Sequence, residues 1–217
     1  MSALPQKLRP ATDGETIRRR LLDAAEHVFA ERGYAGATTR EIALAAGIRK
    51  RMLFYYFPTK AALYHAVLER IVVGMVDIHE RFRNEPGPIG LKEAADALTE
   101  FAAANLDALR LLHREIMDSG PHLAGLARTH LRALFARSAE EVERSMATGS
   151  FRPGDPMHTL VNVGGLTLYY FLLVPLLRLV WDRDPLASET IAERARVVRD
   201  WLMHGLAGPA TRVGMGS

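Results

Sequence analysis

Between Thr38 and Lys60 the chain gathers groups that hold polyanions rather than groups that break bonds. Thr38, Thr39 and Arg40 open one short apolar-periodic segment. Arg49, Lys50, Arg51 and Met52 open the next, and Phe54, Tyr55, Tyr56 and Lys60 close the run. Guanidinium and ammonium groups pair with phosphate oxygens or donate to guanine edges, tyrosine hydroxyls donate to phosphates, and a thin apolar side chain can lie against bases in a groove. For any single residue a solvated basic face over a small core is an equally good account; the joint spacing favours recognition of duplex nucleic acid.

Two short helices must present these groups. Thr38 with Glu41 three residues on has the form of a capping box, opening a helix of two turns that Gly47 closes. Ile42, Ala46, Ile48 and Leu53 then meet in the crook of a second helix, small Ala43 lets the two approach, and Gly47 permits the tight turn. The pattern is a helix-turn-helix. Ahead of it, Ile17, Leu21, Ala25, Val28 and Phe29 recur at helical steps and predict a helix over 16–32, stopped at Gly33. Behind it, Pro58 ends the recognition helix and Thr59 caps a new one, with Leu63, Val67, Ile71, Met75 and Ile78 on one stripe.

Composition agrees with a helical protein. The chain has 217 residues, no cysteine and 31 alanines, at 48% hydrophobic and 24% charged. That is the balance of an ordinary globular chain with room for a core, and it excludes disulfide frameworks and thiolate metal sites. The net charge of +3 is uneven: residues 1–60 hold 11 Lys+Arg against 6 Asp+Glu, and the remainder is slightly acidic. Residues 1–20 carry Lys7, Arg9, Arg18, Arg19 and Arg20 but no apolar segment, so no secretory leader is expected and the expected location is cytoplasmic.

The run from Gly33 to Leu63 carries a resemblance. Thr38-Thr39-Arg40-Glu41-Ile42-Ala43, Ala46-Gly47-Ile48 and Leu53-Phe54-Tyr55-Tyr56-Phe57-Pro58-Thr59-Lys60 strongly resemble the DNA-binding domain of the tetracycline-repressor (TetR) family, over about residues 15–70. The resemblance implies an all-α homodimer. An N-terminal three-helix DNA-binding domain would be followed by a helical domain for a small ligand and for dimerisation. It implies phosphate contacts from Thr38 and Thr39, and a base or phosphate contact from Arg40. Lys50, Arg51 and Met52 become candidate base readers, and Tyr55, Tyr56 and Lys60 backbone contacts. Arg49, Arg51, Met52 and Phe54 stand where the family commonly has Ser, Gly, Thr and Tyr; these departures bear on the operator sequence, and Arg49 in place of the cap suggests a phosphate contact instead. The domains expected are an arm over 1–14, the DNA-binding domain over 15–60, the ligand and dimer domain over 61–206, and a tail over 207–217.

Further helices are expected over 91–104, 106–118, 122–147, 157–180 and 190–206, with a capping box from Thr190 to Glu193 opening the last. Residues 156–177 carry no charge, long enough for a membrane span, yet Asn162, Gly164, Gly165, Thr167 and Pro175 dilute the run. A subunit contact fits it better, with Leu166 and Leu173 meeting Ile191, Val198, Trp201 and Leu202 of the last helix in a four-helix bundle across a two-fold axis. Asn105, His113, His130, Asn162 and Tyr169 are polar positions on apolar stripes and are candidates for a ligand pocket, against the plainer reading of satisfied core or interface residues. No glycine-rich phosphate loop, GxSxG or HExxH is present. The expectation is therefore a transcriptional regulator without catalysis, metal or cofactor, a repressor released from a palindromic operator by a small molecule. A ligand-independent regulator, an activator, a membrane-associated helical protein and a helical enzyme are the alternatives.

Overall fold

A computed structural model describes residues 13–82, 87–118 and 120–208. Most of the expected arm and nearly all of the expected tail lie outside the described residues. Among the described residues there is no strand, only an isolated bridge between Phe151 and Ala207. The helices are α1 (Asp13–Gly36), α2 (Thr39–Ala45), α3 (Lys50–Tyr56), α4 (Lys60–Phe82), α5 (Gly87–Ala104), α6 (Leu106–Met117), α7 (Pro121–Leu126), α8 (Arg132–Ala147), α9 (Pro156–Leu172), α10 (Val174–Val180) and α11 (Ser188–Leu206). A π turn, Ala127–Leu131, joins α7 to α8.

The chain divides into two compact units, Met1–Val67 and Leu68–Ser217. The first reaches Val67 because Leu63, Tyr64 and Val67 of α4 belong to its core, with Leu21, Phe29, Ile42 and Leu53. The Tyr64 ring meets Phe29 edge-on at 4.9 Å and the exposed Tyr34 at 4.8 Å, contacts that add to the burial of Phe29 and Tyr64. Gly33 interrupts α1 with φ 70 where the sequence predicts a stop, and the chain resumes a last turn to Gly36. A Cβ at Gly33 would meet the left-handed penalty.

In the second unit α5 packs against α11 and α9, and α9 against α8 and α6. Val198 and Leu202 of α11 close on Ala95 and Val163; Phe171 closes on Ala102 and Leu109. The Arg199 guanidinium donates to Asp96 at 3.0 Å and ties α11 to α5.

Several expectations are corrected here. The helix expected over 157–180 bends by 60° between α9 and α10, because Pro175 has no N–H for the ladder and the Leu173 amide turns to Tyr169 and Tyr170 carbonyls. Among the described residues no single helix is long and apolar enough to cross a membrane. The capping box at Thr190 does not form. Ser188 and Glu189 are already helical, so Thr190 turns inward with its hydroxyl unpartnered among the described residues, and Glu193 pairs with Arg183 at 2.6 Å. Val198 and Leu202, expected to meet a second chain, are buried within their own. Gly120 has a steric cause: a Cβ there would collide with the Glu115 carboxylate, which accepts from the His122 and Leu123 amides at the start of α7.

Candidate nucleic-acid interface

The helix-turn-helix is built as the sequence predicts. Thr38 caps α2 from an extended backbone; its hydroxyl oxygen accepts from the Glu41 amide at 3.2 Å, and Glu41 Oε2 accepts from the Thr38 amide at 3.1 Å and from the Thr38 hydroxyl at 2.9 Å. These bonds hold the Glu41 carboxyl below its usual range, and Arg32 adds a 2.7 Å ion pair on the other oxygen. One consequence was invisible in the sequence: the Thr38 hydroxyl proton is already committed to Glu41. Thr39, at the first position of α2, is half-buried and makes no such commitment among the described residues.

Gly47 takes φ 65 and turns the chain from α2 towards α3. Leu53 anchors α3 in the core, fully buried with Ile42, while Ala43 and Ala46 keep the two helices close. The side chains left outward on α3 are Lys50, Arg51, Met52, Phe54 and Tyr55, all exposed. The Lys50 ammonium sits 5.7 Å from the Phe54 ring. Arg49 precedes α3 without a side-chain cap. Arg40, Arg49 and Arg51 have neither hydrogen bond nor ion pair among the described residues. These cations are free to redirect towards a polyanion without breaking an internal contact.

The aromatic end is arranged differently from a row of free hydroxyls. Tyr55 is strongly exposed, Tyr56 is half-buried, and their rings meet edge to face at 5.3 Å. Lys60 is docked on the end of α1, its ammonium 3.4 Å from the Ala35 carbonyl and 4.7 Å above the Tyr34 ring. Thr59 caps α4 as expected, accepting from the Ala62 amide at 3.0 Å.

Sequence reasoning missed Arg20. Its guanidinium crosses from α1 to donate to the Ala46 carbonyl at 2.7 Å, beside Gly47, and so fixes the turn that sets the direction of α3. The basic run Arg18-Arg19-Arg20 was visible, but a partner 26 residues away was not. A Cβ at Gly47 would sit 2.8 Å from the Arg20 guanidinium. Gly47→Ala is therefore expected to cost roughly 1–3 kcal/mol, from left-handed strain and from displacing Arg20. Thermal unfolding checks this, and an unchanged midpoint would show that the turn relaxes freely.

The five pocket candidates do not converge. Asn105 precedes α6 and donates to the Phe101 carbonyl at 2.8 Å, His130 approaches Glu69 at 3.6 Å, His113 is half-buried on α6, and Asn162 and Tyr169 are exposed on the outer side of α9. A cavity of ≈ 210 Å³ in the second unit lies elsewhere. It opens among α4, α5, α8 and α9, and Leu91, Leu98, Leu134, Phe135, Val163 and Leu168 supply much of its wall. On α9 the cavity takes Leu160, Val163, Gly164 and Leu168, so the stripe through Asn162 and Tyr169 points away from it. Periodicity located the polar stripe but not which side of α9 had a hollow beneath it. Among the described residues no group of histidine and carboxylate side chains could hold a metal ion.

Two family models match the chain. The one described as "Bacterial regulatory proteins, tetR family" matches residues 21–67, and "Tetracyclin repressor-like, C-terminal domain" matches residues 89–202. The chain is similar to the HTH-type transcriptional regulator RutR of Escherichia coli (strain K12), 30% identical over 159 residues, covering 73% of this chain and 75% of that protein. It is also similar to the HTH-type transcriptional repressor SCO4008 of Streptomyces coelicolor, 31% identical over 155 residues, covering 70% and 78%. In fold it matches the ketosteroid transcriptional regulator KstR2 of Mycobacterium tuberculosis with a TM-score of 0.70 at 19% identity, over 88% of this chain and 94% of that one.

Proposed function

Because the chain belongs to the tetR family of bacterial regulatory proteins, and is on that ground a DNA-binding transcriptional regulator, we propose that it acts as a homodimeric repressor released from its operator by a small organic effector. The observation that carries the reading is the exposed cationic face of α3, held outward by buried Leu53. On DNA, Lys50, Arg51 and Met52 read base edges in the major groove. Thr39, Arg40, Arg49, Tyr55, Tyr56 and Lys60 hold the backbone, with Thr38 contributing its place at the start of α2 rather than a free hydroxyl. The name of the relative SCO4008, a repressor, supports the sign of regulation.

Dimerisation is supported by apolar surface that one chain leaves uncovered. Val161 and Tyr169 on α9 and Val197 and Trp201 on α11 are exposed, Trp201 to 69%. Exposed apolar residues on neighbouring helices mark an interaction surface. Leu166, Leu173 and Ile191 are half-buried beside them and are the remaining interface residues of the sequence reading. A two-fold dimer sets its two α3 helices about one DNA turn, ~34 Å, apart, so the operator is a near-palindrome.

The cavity is the effector site of this proposal. α4 carries both ends of the response: Leu63, Tyr64 and Val67 stand in the core of the first unit, while Met75, His79 and Phe82 line the cavity. An effector acts only by its preference for the conformation that does not fit DNA.

A paired substitution tests the DNA face. Arg51→Ala is expected to weaken operator binding by ~1–3 kcal/mol and to blur preference at one base pair, whereas Lys60→Ala weakens binding to every duplex alike and lowers the salt slope. Titrations of both variants against an operator and a scrambled duplex separate the roles, and equal losses of Arg51→Ala on both duplexes would move Arg51 to the backbone.

A further inference from the structure

The polar end of the cavity has an acceptor surplus. His79 of α4 and Ser138, Glu141 and Ser145 of α8 are the polar side chains among its described lining residues, which include no lysine or arginine. Ser138 Oγ donates its one proton to the Leu134 carbonyl at 2.8 Å, so at its 3.0 Å contact with His79 Nε2 it must accept. That assigns the proton of a neutral His79 to Nε2 and leaves the other ring nitrogen an acceptor. Ser145 Oγ spends its proton on the Glu141 carbonyl at 2.9 Å and keeps only lone pairs. The Glu141 carboxylate, a little over a quarter exposed, accepts no hydrogen bond from the described residues; its single ionic neighbour is His79 Nε2 at 3.9 Å, beyond hydrogen-bond range. The neighbouring arginines on α8 are engaged elsewhere, Arg137 with Glu80 at 3.3 Å and Arg144 with the Glu140 carbonyl.

We propose that this cavity takes a small organic monocation, an ammonium on an apolar body, with its N–H groups donating to Glu141 and its body against Leu134, Phe135 and Leu168. This rests on reading the cavity as the effector site and adds the chemical class of its ligand. A carboxylate ligand would meet Glu141 at close range with no lysine or arginine among the described lining residues to compensate. A neutral alcohol offers one donor and no charge, so it forgoes the charge-assisted part of the contact.

Three probes sharing one ring test the class on the full chain: cyclohexylamine, cyclohexanol and cyclohexanecarboxylate, titrated by calorimetry at neutral pH. The amine is expected to bind about tenfold or more tighter than the alcohol, with the carboxylate weakest. Glu141→Gln, isosteric and part-exposed, is expected to remove that preference, weakening the amine about tenfold and the alcohol little. The proposal is overturned if the alcohol or carboxylate matches the amine, if Glu141→Gln keeps the preference, or if none of the three binds. The wild-type ranking stands independently of the variant. Repeating the titrations with operator present separates the two readings. An amine that binds without loosening the operator upholds the cation class and removes the effector role; an alcohol or carboxylate that releases the operator as well as the amine does the reverse.

Discussion

Operator affinity is expected to fall about 10³- to 10⁵-fold as salt rises from ~50 to ~200 mM, the largest effect any single change of conditions should produce. Each chain offers Arg40, Arg49, Lys50, Arg51 and Lys60 near α3, and a dimer doubles the set. If six to ten of these groups, with the helix-end amides, displace condensed cations from the duplex, each contributes almost one unit to the slope of log affinity against log salt, about −0.9. Lys60 starts from a docked position over Tyr34, so its share is net of breaking that contact. Fluorescence anisotropy at four or five salt concentrations measures the slope. A shallow slope, on the order of two phosphates, would mean that the exposed cations of α3 do not meet the backbone.

Trp201→Glu is expected to convert the proposed dimer into monomers and to cut operator affinity by ~10² to 10⁴. Trp201 is 69% exposed in a single chain, so its replacement should leave the monomer's melting transition little changed. In an isologous contact the new carboxylate enters twice, and a buried unpaired charge costs several kcal/mol. The operator penalty follows because two half-sites bound together by the proposed dimer become two independent encounters. Sedimentation velocity and operator titration read the two effects separately. A dimer that survives the substitution would move the subunit contact away from α11.

The first unit was legible in the sequence because its determinants are local. The Thr38–Glu41 box, the positive-φ glycine at position 47 and the cap at Thr59 act within four residues, and each is where the residue types place it. The second unit was legible as helices but not as faces. Val198 and Trp201 are neighbours on the same helix, yet one is sealed inside its own chain and the other is open. Only the position of α5 and α9 decides between them. The cavity escaped for the same reason: His79 and Glu141 lie 62 positions apart, with no shared motif. Arg20, too, depends on a carbonyl 26 residues away.

The bond from Arg20 to the Ala46 carbonyl also bears on how tightly this protein can discriminate. A helix of seven residues has no persistence of its own, so its direction is fixed during folding, by Arg20, Gly47 and Leu53, before any duplex arrives. The guanidinium tips of Arg40, Arg49 and Arg51 are exposed and hold no partner among the described residues, so in the proposed DNA contacts each surrenders rotamer freedom, about 0.5–1.5 kcal/mol apiece. Preorganisation thus ends at the backbone of α3, and the remaining entropy is lost at the side-chain ends. On that proposal, related duplexes can share one frame and differ only in the rotamers they select.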